Sequence, residues 1–121
     1  LVAAEKGVTN SITYLVEKGA NMEARDKKGN TPLMIACGNR HLPVMEELLE
    51  KGADPDARDL LGRTPLMLLA VLGEAEMVKI MLHDKADPTL WDYGMKTALA
   101  YAREHHRKYV IRILENAGVK Y

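Results

Sequence analysis

Cys37 and His41 are the two residues whose types and spacing come closest to a metal site. They are four positions apart, so both side chains could touch one ion. Structural zinc is usually held by four ligands, and no second pair of ligands is obvious in the sequence. We therefore predict that Cys37 is a small buried residue and that the chain holds no metal and no cofactor.

Asp54 and Asp56 resemble a pair of catalytic carboxylates. The positions 33 residues later hold Asp87 and Thr89, however, so the pair belongs to a repeating pattern. The chain has no glycine-rich phosphate loop, and Ser11 is its only serine. Small-molecule chemistry also usually needs an enclosed pocket, which an array of repeats does not offer. We therefore predict that the chain is not an enzyme.

The stretch from Arg103 to Lys108 is basic and contains His105 and His106. Such a cluster could meet phosphate or an acidic partner. The formal net charge of the chain is +0, whereas a nucleic-acid-binding domain normally carries a basic excess. We therefore predict a solvated polar face here and no binding of nucleic acid.

A chain of 121 residues is long enough for one domain or one short solenoid. Hydrophobic residues make up 47% of the chain, but aromatic residues only 5%, and phenylalanine is absent, so the core must be aliphatic. No run of about 18 apolar residues exists, so we predict no insertion into a membrane. The single cysteine favours a reducing compartment, and we expect the cytoplasm or the nucleus. Because Leu1 is not an initiator methionine, we expect a trimmed boundary at that end.

These candidate residues lie on a repeating unit. The stretch 26–58 returns in 59–91, with Asp26 as Asp59 and Gly29 as Gly62, and subtracting the numbers gives 33 each time. A fixed period of this size indicates a repeat architecture. The register divides 1–121 into a partial repeat (1–25), two full repeats (26–58 and 59–91) and a third full repeat (92–121) that serves as a C-terminal cap. Its polar outer face predicts that the fold ends near Tyr121.

Each unit has the signals of a turn followed by two helices. Gly29 closes a turn that begins at Asp26, and Thr31 can cap a helix that starts at Pro32. His41 to Pro43 breaks that helix and starts a second one. Gly52 ends the second helix in a left-handed conformation. One unit cannot bury its apolar face alone, so neighbouring units must stack.

The unit resembles the ankyrin repeat, whose pattern is D-x-x-G-x-T-P-L-H-x-A, then two helices, then G-A-D. The resemblance implies an all-α ankyrin-repeat solenoid of stacked helix-turn-helix units with hairpin-like loops, with three full repeats and a partial one at the N-terminus. It spans nearly the whole chain. In the second unit the matching residues are Asp26, Gly29, Thr31, Pro32, Leu33, Ala36, His41, Val44, Leu48, Leu49, Gly52, Ala53 and Asp54.

Several departures from the family pattern carry predictions. Lys85 stands where a left-handed glycine is expected. Leu69 replaces a small residue, so we expect its helix to be pushed away from its neighbour. Gly94 lies one place early in its turn, which predicts a hairpin of different shape. The family's histidine after T-P-L is replaced by methionine or alanine, so apolar packing must replace its polar link. The replacements are Met34, Met67 and Ala100, and the partial first repeat is expected to pack through Val2, Ala3, Ile12, Leu15 and Val16.

The resemblance implies a function in protein–protein interaction, as an adaptor or scaffold segment. In this family the hairpin tips and the exposed face of each first helix line a concave groove that binds partner proteins. Apolar residues at such positions of the third unit predict a contact patch flanked by cations. The predicted partner-binding residues are Lys27, Lys28, Asn30, Leu60, Leu61, Arg63, Val71, Leu72, Trp91 and Tyr93.

The partner expected from this pattern is a protein segment with apolar anchors and some acidic residues. An alternative for the patch is structural, with Leu60 folding back on Leu61 or Trp91 to tighten the hairpin. Alternatives for the whole chain are a structural spacer, a designed-type array without a dedicated partner, or a regulatory appendage of a larger enzyme. Symmetric self-association through the same patch also stays open.

Overall fold

The computed structural model describes residues 22–121, which form paired α-helices without any strand. The inner helices α1, α3 and α5 pack side by side, and each also packs against the outer helix that follows it. This arrangement confirms the all-α repeat fold. The helices are α1 (Pro32–Gly38), α2 (Leu42–Glu50), α3 (Pro65–Leu72), α4 (Ala75–His83), α5 (Ala98–Glu104) and α6 (Lys108–Asn116).

A hairpin that begins with an aspartate precedes each pair of helices. In Asp26, Asp59 and Asp92, the Oδ1 atom accepts the backbone N–H groups of the residues two and four positions later, at 2.9 Å in every case. The carbonyl of the residue four positions later accepts the aspartate's own backbone N–H. One carboxylate therefore fixes each hairpin tip.

The prediction that the last hairpin differs in shape is wrong. Met95 takes the left-handed conformation, with φ of 67°, at the position where Gly29 has 82° and Gly62 has 78°. Gly94 does not have a positive φ. The bonds to Asp92 impose the same turn whether or not glycine is present, and Met95 is therefore strained by its Cβ.

The inner helices begin as the sequence predicts. Thr31, Thr64 and Thr97 are their N-caps, and each threonine Oγ1 accepts a backbone N–H three residues later. Pro32 and Pro65 occupy the first helical position. Local chemistry alone thus sets the start of each inner helix.

Two further left-handed positions recur in each repeat. One lies between the two helices, and the other follows the outer helix. The prediction that Lys85 adopts this conformation without glycine is confirmed by its φ of 68°. The residues between the helices are Arg40, Gly73 and His106, and those after the outer helix are Gly52, Lys85 and Gly118.

The core is aliphatic and runs through the stack. Met34 and Met67 are buried, as expected for apolar packing in place of the family's histidine. The Sδ atom of Met67 also accepts the N–H of Thr64 at 3.4 Å. The largest fully buried side chains are Leu33, Met34, Met45, Leu48, Leu66, Met67, Leu69, Met81, Leu99, Leu114, Val44 and Val78.

Leu69 does not push its helix outward, contrary to expectation. It is fully buried, and α3 packs against both α1 and α5. Its larger side chain therefore fills space in the core. The packing predicted for Val2, Ala3, Ile12, Leu15 and Val16 lies outside the described residues.

The last repeat has the predicted polar outer surface. Arg103, His105, His106 and Lys108 are exposed. The Thr97 hydroxyl donates to the Tyr121 carbonyl at 2.8 Å, which ties the end of the chain to the start of α5. None of the helices in residues 22–121 has both the length and the apolar character that a membrane span requires.

Candidate partner-binding surface

The three hairpin tips are joined by backbone hydrogen bonds. The Leu60 N–H donates to the Lys28 carbonyl at 3.1 Å, and the Tyr93 N–H donates to the Leu61 carbonyl at 3.0 Å. The second and third tips are thereby fixed against the tip before them. The three tips therefore form a continuous ribbon.

Two tip side chains lean back over the preceding glycine. A Cβ on Gly29 would lie 2.8 Å from the Leu60 nitrogen, and one on Gly62 would lie 2.7 Å from the Tyr93 ring. Leu60 thus rests against the preceding hairpin. It and Tyr93 nevertheless remain 68% and 69% exposed, so this packing does not bury them.

The chemistry of the ribbon changes from one repeat to the next. The same two tip positions carry Lys27 and Lys28 in the first described hairpin, Leu60 and Leu61 in the second, and Tyr93 and Gly94 in the third. All six residues are exposed. The ribbon is therefore cationic at one end and apolar at the other.

A concave cavity of about 880 Å³ lies beside the cationic tip. It brings together four of the predicted residues: Lys27, Lys28 and Asn30 from one repeat and Arg63 from the next. Its apolar lining includes residues that sequence reasoning missed. The complete lining is Arg25, Asp26, Lys27, Lys28, Asn30, Met34, Ile35, Gly38, Asn39, Arg63 and Leu68.

Ile35 and Leu68 are two apolar lining residues that the predicted site did not include. They occupy equivalent positions 33 residues apart, with Tyr101 as the third member of the row. Each lies about one helical turn after the capping threonine of its inner helix, and Ile35 and Leu68 both line the cavity. That periodic row was the signal available in the sequence.

The arginines near the groove are largely engaged within the chain. Arg63 Nε lies 2.8 Å from Asp59 Oδ2, and Arg58 donates to the Trp91 carbonyl at 3.0 Å. Arg25 donates to the carbonyls of Gly29 and Arg58. Arg25 and Arg58 link one repeat to the next, and Arg63 is paired within its own hairpin. The exposed lysines are therefore the more adaptable cations of the surface.

Val71 and Leu72 lie at the far end of the third repeat's inner helix. Both are half-buried, and the Val71 carbonyl accepts a hydrogen bond from Arg107 Nε at 2.9 Å. They are about 9 Å along α3 from its start, at 1.5 Å per residue. Leu68 lies one turn before them, so apolar residues follow the helix away from the tips.

Trp91 lines a different cavity from the other predicted site residues. This cavity of about 230 Å³ is also lined by Thr97, Val119 and Tyr121, near the C-terminal edge of the stack. Trp91 is half-exposed there, at 48%. It replaces the arginine that links neighbouring repeats at the equivalent positions 25 and 58.

A cluster of polar side chains lies in the fourth unit. Tyr101 Oη donates to Asp92 Oδ2, and the Lys96 ammonium lies 5.3 Å from the centre of the Tyr101 ring. Lys96 Nζ also lies 2.8 Å from Glu104 Oε2. Lys96 is therefore already paired with a carboxylate of its own repeat.

The hydrogen bond between Tyr101 and Asp92 shifts the pKa values of both residues. Burial, together with the bond to Asp92 and its negative charge, raises the pKa of Tyr101 to about 12. Burial alone would raise the pKa of Asp92, but hydrogen bonds from Tyr101, Lys96 and Gly94 lower it below its ordinary value. The cluster is thus most stable with a neutral tyrosine and a charged aspartate.

Replacing Tyr101 with phenylalanine should lower the free energy of unfolding by about 1.5–3 kcal/mol at pH 7, because a hydrogen bond to a charged group is lost. Unfolded tyrosine ionises near pH 10, while folded Tyr101 stays protonated until about pH 12. The wild-type advantage should therefore be complete below pH 10 and shrink as the pH rises to 12. Urea unfolding of both proteins across this range measures it.

The exposed Tyr109 supplies the control, since Tyr109→Phe should change stability by less than about 0.5 kcal/mol. A Tyr101→Phe variant as stable as wild type would show that the bond to Asp92 contributes nothing. The same hydrogen bond also predicts that stability changes at acid pH. Stabilisation from charged Asp92 is present above its unfolded pKa and is lost as the pH falls through its lowered folded pKa.

The residues that first suggested chemistry have structural roles. Cys37 is fully buried, and burial raises the pKa of its thiol to about 12, so it is an uncharged thiol at neutral pH. Asp56 Oδ1 accepts the Asp87 N–H at 2.8 Å, and Asp54 accepts the Asp56 N–H at 2.9 Å. Among residues 22–121 no group of three or more potential metal ligands comes together.

The comparison with known families agrees with the observed architecture. A family model described as ankyrin repeats (3 copies) matches residues 1–59 and 52–121, which together cover the chain. The fold is of a kind that is typically non-catalytic, and its members generally act in protein–protein interaction. From the recurring hairpins, the paired helices and this match, the chain belongs to the ankyrin repeat family.

Proposed function

We propose that this protein is a protein-recognition module that binds a segment of a partner through its hairpin tips and concave groove. The observation that carries the proposal is the exposed apolar ribbon of Leu60, Leu61 and Tyr93, which adjoins the cationic Lys27 and Lys28. Such surfaces, with aromatic and aliphatic side chains beside cations, are typical of protein interfaces.

The energetics of the tips favour an interface. Leu61 is 60% exposed although it lies between two fixed hairpins. Burying a leucine-sized side chain contributes about 1.5–3 kcal/mol, so a few such contacts supply much of a micromolar affinity. Because the tips are already joined by backbone hydrogen bonds, little ordering would oppose binding.

The proposed role is that of an adaptor or scaffold segment for a partner with apolar anchors and acidic residues. The groove supports this through the mixture of Ile35 and Leu68 with Lys27 and Lys28 in one cavity. The single cysteine is free and buried, which suits a reducing compartment such as the cytoplasm or nucleus.

Selection of binders from a random-peptide display library tests the proposal. Peptides selected on the wild-type protein should lose at least about tenfold in affinity for Leu61→Glu, because a charge would replace an apolar contact. Tyr109→Glu is the matched control, since Tyr109 is 73% exposed on α6, an outer helix. Circular dichroism should show that both variants remain folded.

The proposal fails if no peptide is selected, or if the selected peptides are weakened by Tyr109→Glu and not by Leu61→Glu. Mass measurements in solution across concentration should accompany the selection. A dimer that Leu61→Glu abolishes would make a second copy of this chain the partner of the tips. If the protein is monomeric at all concentrations, the partner of the tips is a segment of a different protein.

A further inference from the structure

We propose that the recognition surface has two separate subsites in a fixed order, and that it takes an extended peptide with a block of carboxylates beside a block of apolar residues. The carboxylates would lie over Lys27 and Lys28, and the apolar residues over Leu60, Leu61 and Tyr93. This inference rests on the proposed function and specifies the partner of the same surface.

The carboxylate subsite is defined by an imbalance of charge. The concave cavity is lined by four cationic residues, Arg25, Lys27, Lys28 and Arg63, and by one anionic residue, Asp26. Asp26 accepts hydrogen bonds from the Lys28 and Asn30 N–H groups and from the Asn30 amide at 3.2 Å, so its carboxylate is committed to the hairpin. The cavity therefore presents excess positive charge.

The arginines of the cavity already have partners within the protein, so the cations that can adapt to a ligand are the lysines. Arg63 is paired with Asp59, and Arg25 is held by carbonyls of two neighbouring hairpins. Lys27 and Lys28 are exposed at the tip. A lysine ammonium on a flexible stem can follow a carboxylate of varied position. The two lysines are therefore the residues that would bind acidic side chains.

The apolar subsite begins one repeat further along the ribbon. Leu60 and Leu61 occupy the positions of the two lysines, and Leu60 leans back over Gly29 toward them. Tyr93 leans over Gly62 in the same way. These side chains extend the apolar surface backward from each tip, so it meets the cationic end with no intervening hairpin.

The opposite end of the groove offers no equivalent carboxylate subsite. Lys96 is paired with Glu104 at 2.8 Å, and Asp92 is bound by Tyr101. An acidic block placed over this end would meet the charges of Glu104 and Asp92. The order of charge along the groove therefore favours one placement of a block peptide over the reverse.

Three labelled peptides of equal length test the inference by fluorescence anisotropy. The first has a run of glutamates, a glycine–serine spacer and the triplet Leu-Tyr-Leu. The second replaces the glutamates by glutamines. The third has the composition of the first with glutamates and apolar residues alternating.

In low salt the glutamate block peptide should bind about fivefold or more tightly than the glutamine peptide, as expected for two ion pairs. The Lys27→Gln/Lys28→Gln variant should remove that difference. The matched control, Lys51→Gln/Lys108→Gln, changes two exposed lysines at the ends of the outer helices α2 and α6 and should keep that difference. The difference should also vanish at 1 M salt, where charges are screened within about 3 Å.

Leu61→Ser should weaken the glutamate and glutamine block peptides alike, by about tenfold and with no dependence on salt. The alternating peptide should bind more weakly than the block peptide. Equal binding of the glutamate and glutamine peptides, equal binding of the block and alternating peptides, or no binding of any would overturn the two-subsite inference. The display selection tests the proposed function separately, so the two-subsite inference can fail while the proposed function stands.

Discussion

Replacing Leu69 with alanine is expected to lower the free energy of unfolding by about 2–5 kcal/mol, the range for removing a fully buried leucine. The change would make the third repeat match the alanines of its neighbours, Ala36 and Ala102. Comparison with the family would therefore suggest a neutral or helpful substitution. The structure predicts the opposite, because Leu69 has no exposed surface and α3 packs against both neighbouring inner helices.

Urea unfolding followed by circular dichroism measures this loss. The matched control is Leu68→Ala on the same helix, since Leu68 is half-buried and lines the groove, and its loss should be clearly smaller. A loss below about 1 kcal/mol for Leu69→Ala would mean that the leucine overpacks its site, as the sequence alone suggested.

Placing glycine at three strained positions should raise the free energy of unfolding by about 1.5–3 kcal/mol in the combined variant Lys85→Gly, Met95→Gly and His106→Gly. Each residue has a positive φ at a position where another repeat has glycine, and each is exposed. Relief of the Cβ clash at each site contributes about 0.5–1 kcal/mol after the entropy of glycine is counted. The melting temperature should rise by about 6–15 °C.

Calorimetry of the combined variant and of each single variant checks this prediction. Arg40→Gly is the informative control, because Arg40 also has a positive φ but forms an ion pair with Glu74 at 2.8 Å. Its gain should be partly offset by loss of that pair. If the combined variant melts no higher than wild type, these three residues are not strained.

Local chemistry explains why so much of the fold was predictable. A threonine followed by proline starts an inner helix. An aspartate whose carboxylate accepts the backbone N–H groups two and four residues later fixes a hairpin. These signals act over a few residues and recur with the period of 33, so each copy supports the interpretation of the others. Helix starts, hairpin positions and the left-handed conformation of Lys85 could all be predicted in this way.

Features decided by neighbouring repeats were harder to predict. The turn at Gly94 and Met95 follows the hairpins beside it and not its own glycine, because Asp92 and the bond from Tyr93 to Leu61 impose the common shape. Leu69 was predicted to displace a helix because sequence comparison shows the size of a side chain but not the space available to it.

The candidate surface was predictable in outline and not in detail. Leu60, Leu61 and Tyr93 are exposed at the tips as expected. The pairing of Arg63 with Asp59 and the place of Trp91 beside Tyr121 depend on where side chains turn, which the period does not specify. Ile35 and Leu68 also line the cavity, although Ile35 is buried as part of the core.

Mapping of amide chemical shifts by NMR, with the tightest display-selected peptide added to the labelled protein, tests the central claim most directly. We expect the largest shifts at the hairpin tips and inner helices, with Lys28, Leu61 and Leu68 among them. The outer helices α2, α4 and α6 should change little. Shifts concentrated on those outer helices would contradict recognition through the concave face.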